Sequence, residues 1–243
     1  MTNQKKLIKY LKAQFRTVEL FMSKVRHRPG GKSVHELRLA TRRARVALWV
    51  LEHNSKPLRF KELRHGLRQL GQALGQIREV EVAIQDANHF GIKRLDLKRR
   101  RNRARRKIKN LVSDKKTNDL TKQIADAENR INNIGPVSFR IVRDELIIKI
   151  RRQLKLFLSG KIKLHKLRII LKKTRYALVA IGQPTAKMKL LQNILGDEHD
   201  LVTLQTYVGK TAKIKLRQQS LKDQATPLIR PVLRFAMTQL KNI

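Results

Sequence analysis

Apolar residues along this chain recur at helical spacing in long runs, and the few glycines and prolines fall between the runs. Pro29-Gly30-Gly31 closes a first helical segment over about residues 3–27. Ser33 then reads as an N-cap, with Glu36 three residues later completing a capping box. An amphipathic run continues to about Glu52, Asn54-Ser55-Lys56-Pro57 breaks it, and a third segment covers about 58–88. A fourth, polar and highly charged, spans about 94–132 and ends at Gly135-Pro136. The second half predicts helices over about 137–158, 162–181 and Pro184 to about 208, then a stretch over 210–241 interrupted near Thr226-Pro227. Strand-type alternation between hairpin turns is not evident. Long segments joined by short breaks favour antiparallel helical neighbours. The predicted fold class is all-α, with eight helices in two groups of four.

The two groups repeat one another. Val34-His-Glu-Leu-Arg38-Leu-Ala-Thr-Arg42-Arg43-Ala-Arg45-Val-Ala-Leu48 aligns without gaps on Leu164-His-Lys-Leu-Arg168-Ile-Ile-Leu-Lys172-Lys173-Thr-Arg175-Tyr-Ala-Leu178, an offset of 130 residues. A second element, Leu74-Gly-Gln-Ile-Arg78-Glu79-Val80, recurs as Leu195-Gly-Asp-Glu-His199-Asp200-Leu201, an offset of 121. Two matched elements in one order indicate a tandem duplication, with a first helical bundle over 1–134 and a second over 135–243.

Charge narrows the function classes. Lys and Arg number 57 against 18 Asp and Glu, a net charge of +39 with a pI near 11.5. Packing so many like charges into one body is self-repulsive, and points to a polyanion or an anionic surface as partner. A hydrophobic content of 41% is enough for a buried core and argues against disorder. Cysteine is absent, which excludes disulfides and thiolate metal sites and suits a reducing compartment. Met1-Thr2-Asn3-Gln4-Lys5-Lys6 leads into an amphipathic stretch rather than a signal-like apolar one. No run approaches the roughly 18 apolar residues of a membrane span. The expected location is the cytoplasm, with no membrane partner.

Placed on a helix, His35, Arg38, Arg42, Arg45 and Trp49 fall within a stripe of roughly 80°, with Leu37, Ala40, Ala44, Ala47, Leu48 and Leu51 opposite. His165, Arg168, Lys172 and Arg175 repeat the stripe, against Leu167, Ile170, Ala177 and Leu178, while Arg43 and Lys173 flank the two rows. Residues three and four apart lie about 5–6 Å from each other. A linear phosphate polymer presents oxygens at comparable spacing, and Arg can donate two parallel hydrogen bonds to one phosphate. A lone stripe of this kind is more readily a solvated face; two at equivalent positions, each opening on a histidine, turn the balance towards a binding row. In the second element Arg78, Glu79 and Glu81 stand in one half, and His199 and Asp200 in the other. A carboxylate so placed orients a neighbouring cation more readily than it acts as a general base, which needs a partner and a positioned substrate. Glu79-Val-Glu81-Val-Ala83 resembles the Glu-x-Glu-x-Lys signature of triphosphate tunnel enzymes, but lacks the Lys and reads as helix. Phosphate-loop, His-Glu-x-x-His and Gly-x-Ser-x-Gly motifs are missing, and the histidines show no metal-ligand spacing. Lys98–Lys109 holds nine Lys or Arg in twelve residues, either an added polyanion surface or an exposed helix face.

His-x-x-Arg with its following basic cluster, then Leu-Gly-x-x-Arg/His with an acidic residue, resembles the CHAD domain, the conserved histidine α-helical domain. The likeness lies in 34–48 and 74–82, and again in 164–178 and 195–204. It implies two four-helix bundles related by a pseudo-twofold around a basic central channel that binds inorganic polyphosphate, and association with polyphosphate granules. Carried over by motif, the binding residues are His35, Arg38, Arg42, Arg43, Arg45 and Arg78, then His165, Arg168, Lys172, Lys173, Arg175 and His199. Glu79 and Glu81 depart from the family's usual Asp. No enzymatic activity, cofactor or metal is expected. The rival readings are a basic helical protein that binds nucleic acid, and an enzyme that processes polyphosphate or triphosphate; few aromatics and few clustered acids weigh against them.

Overall fold

The computed structural model describes residues 1–28, 31–54, 60–92, 95–209 and 211–243. Among these the chain forms nine α-helices and no strand: α1 (Asn3–His27), α2 (Gly31–Asn54), α3 (Lys61–His89), α4 (Leu95–Leu111), α5 (Asp114–Asn132), α6 (Arg140–Leu158), α7 (Leu164–Ala180), α8 (Ala186–Val208) and α9 (Ala212–Lys241). The expected breaks at Pro29-Gly30 and Ser55-Lys56-Pro57 fall outside the described residues, as does the start of the third segment at Leu58.

Three local expectations are corrected. The fourth segment is two helices, because Ser113 takes an extended conformation (φ −61°, ψ 157°) while Val112 beside it is buried. Asp114 then opens α5, where a carboxylate suits the helix dipole, and pairs with Arg26 of α1. The capping box at Ser33 does not form, since α2 already begins at Gly31 and Ser33 Oγ donates to Arg28 O at 3.2 Å. α9 runs unbroken through Pro227 and Pro231. Each proline costs about 3 kcal/mol inside a helix, but the stripe Leu221, Ala225, Ile229, Val232, Leu233, Ala236 and Leu240 is buried along the whole length and holds the helix together.

Helix ends elsewhere follow local rules. Thr2 caps α1 by accepting from Lys5 N, and Thr211 caps α9 by accepting from Ile214 N, both at 3.3 Å. α6 and α7 each stop at a glycine with positive φ, Gly160 at 67° and Gly182 at 75°. There Lys161 N donates to Leu156 O at 2.8 Å and Gln183 N to Leu178 O at 2.9 Å, the six-to-one bond of a Schellman cap.

The chain divides into two compact units, one of residues 1–84 with 94–138 and the other of 85–93 with 139–243. The last turn of α3 thus clusters with the second unit. In unit 1, α1 packs along α2, burying Leu7, Leu11, Phe15, Val18, Met22 and Val25 at three- and four-residue spacing, and also meets α4 and α5. In unit 2, α9 packs on α6 and α8, and α7 on α8.

Candidate functional site

In unit 1 the cations stand on the side of α2 opposite its core. Val34, Leu37, Ala40, Ala44, Ala47, Leu48 and Leu51 are buried, whereas His35, Arg38, Arg42, Arg43 and Arg45 keep partial exposure. His35 is held below the usual histidine range, first by burial, then by Arg38, Arg78 and Arg43, with Glu36 opposing. The two sequence elements therefore meet at His35 and Arg78. Arg45 forms the other end of the row. Burial depresses its guanidinium first, followed by the neighbouring charges of Arg42, Arg68 and Arg64. It still carries its charge at neutral pH, as arginine does throughout proteins. A Cβ built on Gly71 of α3 would lie 3.7 Å from Arg45 Nη1 and 3.5 Å from Thr41 Oγ1, so the guanidinium rests against bare backbone. At the start of α3, Glu52 accepts from Phe60 N at 2.7 Å and pairs with Arg64, fixing how α2 hands over to α3.

In unit 2 the corresponding sequence elements also meet. His165 Nδ1 lies 3.3 Å from His199 Nδ1, with ring centroids 4.8 Å apart. Burial, then Arg168, His165 and Lys172, push His199 down to about 4, so this imidazole is neutral at pH 7. Arg175 Nε donates to Gln192 Oε1 at 2.7 Å, and its guanidinium carbon sits 4.8 Å from the Tyr176 ring centroid. By the sequence offsets Arg175 corresponds to Arg45, Gln192 to Gly71 and His199 to Arg78. Where unit 1 leaves the guanidinium on a glycine, unit 2 supplies an amide acceptor.

Two predicted residues lie apart from the rows. Lys173 Nζ turns to Glu145 Oε1 of α6 at 3.4 Å. Trp49, expected on the cationic stripe, is 7% exposed and donates from Nε1 to His53 Nε2 at 3.1 Å. The stripe ends at Arg45 because Ala47 to Leu51 are all buried. Glu81 pairs with Arg105 of α4 at 3.4 Å, so it orients a cation, though not Arg78. Arg64 and Arg68 were missed by motif reasoning. Their signal is periodic: Arg64, Arg68, Gly71, Gly75 and Arg78 share one face of α3.

A family model described as the CHAD domain matches residues 9–208. The chain belongs to the CHAD domain family. Two solved structures share the fold along the full length of this CHAD chain. The CHAD domain from the plant Ricinus communis aligns with a TM-score of 0.65 at 16% identity, covering 100% of this chain and 93% of that one. PptA from Streptomyces chartreusis aligns at 0.61 and 14% identity, covering all of both chains. A comparison with curated proteins finds no match.

Chemically, the two clusters of this CHAD protein are sets of donors. Guanidinium and ammonium groups donate only, and each neutral imidazole can donate one bond and accept one. Among the described residues, no group of three or more His, Cys, Asp or Glu is placed to hold a metal ion, and no helix is long and apolar enough to cross a membrane.

Proposed function

We propose that this chain binds inorganic polyphosphate and performs no chemistry on it. The observation that carries this reading is the paired meeting of the repeat elements, His35 with Arg78 and His165 with His199, each inside a row of cations. A row with partial burial and neighbouring positive charge has an electrostatic deficit that a phosphate polymer fills. Guanidinium groups take the phosphate oxygens in charge-assisted bonds, and shielding from water strengthens them. A polymer serves better than a single phosphate because Arg38, Arg42 and Arg45 succeed one another along α2. The proposal extends to the arrangement the resemblance implies, two bundles about a basic channel, and to a role at polyphosphate granules in the cytoplasm.

The test is competition. Binding of labelled long-chain polyphosphate is measured at about 0.15 M salt with duplex DNA and RNA as competitors. Polyphosphate should win; nucleic acid winning by tenfold would sink the proposal. Incubation with polyphosphate and Mg²⁺ or Mn²⁺ should release no phosphate.

Nucleic-acid binding is the second reading, favoured by α4. Lys98, Arg99, Arg100, Arg103, Arg106, Lys107 and Lys109 are all exposed there. Against it, Trp49 is buried and offers no face on which a base could stack.

A further inference from the structure

Unit 2 carries a feature that the cationic rows do not absorb. A groove of about 380 Å³ runs between α6 and α7. Its open apolar surface comes from Leu156, Ile169 and Ile170, with the buried Leu146 beneath, and Ile169 is 51% exposed. Cations stand among these side chains: Lys149 and Arg152 from α6, Lys166 and Lys173 from α7. Lys149 and Lys173 share Glu145, while Arg152 and Lys166 are exposed.

The groove is a local departure from the repeat. α2 and α7 are matched by sequence, and α1 precedes α2 as α6 precedes α7. Yet α1 packs along α2, whereas α6 touches α7 only briefly and packs chiefly on α9. The space that opens is lined at three- and four-residue intervals by both helices. From Leu146 to Leu156 it extends about 15 Å along α6, three helical turns. Walls from two helices, an apolar floor and this length suit a cleft that receives the apolar face of another helix.

Charge selects the occupant. The positive rim and a net charge of +39 repel a second copy of this chain and attract an acidic one. A lipid surface is flat on this scale and leaves a concave floor unfilled. We propose that the α6–α7 groove docks a short, acidic amphipathic helix of a partner protein, whose apolar side chains enter between Leu156 and Ile169 while its carboxylates meet Arg152 and Lys166. A polyanion-binding module with such a groove would bring an acidic partner to the polymer it holds.

The probe is a dye-labelled 14-residue helical peptide with leucines on one face and glutamates on the other. An isomer of identical composition with its leucines scattered controls for plain charge attraction, and binding is read by anisotropy. The amphipathic peptide should bind at least tenfold more tightly than its isomer. Ile169→Ser or Leu156→Ser should abolish that preference and leave polyphosphate affinity unchanged. Arg152→Gln should weaken both peptides without removing the preference, and circular dichroism confirms each variant's fold. Equal binding of the two isomers, or a preference that survives in both serine variants, overturns the proposal. So would laurate or anionic vesicles binding in a manner lost with Ile169→Ser, or a dimer in sedimentation that either serine change disrupts.

Discussion

The imidazoles of His165 and His199, one on α7 and the other on α8, face each other with their Nδ1 atoms 3.3 Å apart. In a hydrogen bond between them one nitrogen donates and the other accepts, and the tautomers set which. This contact brings the two sequence elements of unit 2 together, and the depressed His199 gives the cluster a pH signature.

His199 titrates at about 4 in the folded chain, against an ordinary value near 6.5. Between those values the unfolded chain holds a proton that the folded chain does not. Stability from this group is therefore full above about pH 6.5 and is lost as pH falls through about 4. Acidification should destabilise the free protein across that window, and His199→Gln should flatten the dependence. Urea denaturation at pH 4.5 and 7 checks this. Bound phosphate offsets the field of Arg168 and Lys172, so polyphosphate binding should take up protons and tighten from pH 7 to 5. A glutamine variant with the wild-type affinity profile would remove His199 from the site.

Arg38 and Arg168 hold equivalent positions, each one turn after the leading histidine, and the Nε atoms of both are shielded from solvent. A hydrogen bond to a charged group contributes about 1.5–3 kcal/mol, or roughly tenfold to a hundredfold in affinity. Arg38→Ala with Arg168→Ala should weaken polyphosphate binding by at least about a hundredfold on that scale. Lys98→Ala with Lys107→Ala on the exposed face of α4 should cost far less. Equal losses would mean diffuse surface attraction.

Glu52 has an 11% exposed side chain and holds both Phe60 N and Arg64. Glu52→Ala strands a buried backbone donor and a cation, and should lower unfolding free energy by about 1–3 kcal/mol. Glu52→Gln, which can still accept from Phe60 N, should cost less. The difference is read from urea midpoints at constant slope.

Pro227 is exposed within α9 and cannot supply a helical N–H. Pro227→Ala restores that donor at a position where burial already enforces helix. A stabilisation of order 1 kcal/mol is expected, less than the full helix-propensity gap because the unfolded chain also gains freedom. Thermal melting checks it; an unchanged or lowered midpoint would show that the proline is accommodated without strain.

The sequence by itself determined the helices and the faces they bury, since helical periodicity is a local property and a core stripe is written in the same residues that form it. The first helix, the buried face of α2 and the recurrence of both motifs were legible for that reason. Boundaries that depend on competition between local preference and packing were not: Pro227 reads as a stop until the buried stripe beneath it is known, and Ser113 reads as mid-helix until Val112 is seen to be buried. Tertiary structure alone decided which cations share a field. Arg64 and Arg68 join Arg45, Lys173 leaves for Glu145, and Trp49 turns into the core. The charge balance pointed only to an anion of some kind as partner. Where the charges converge is a matter of distances between helices, and no single helix encodes them.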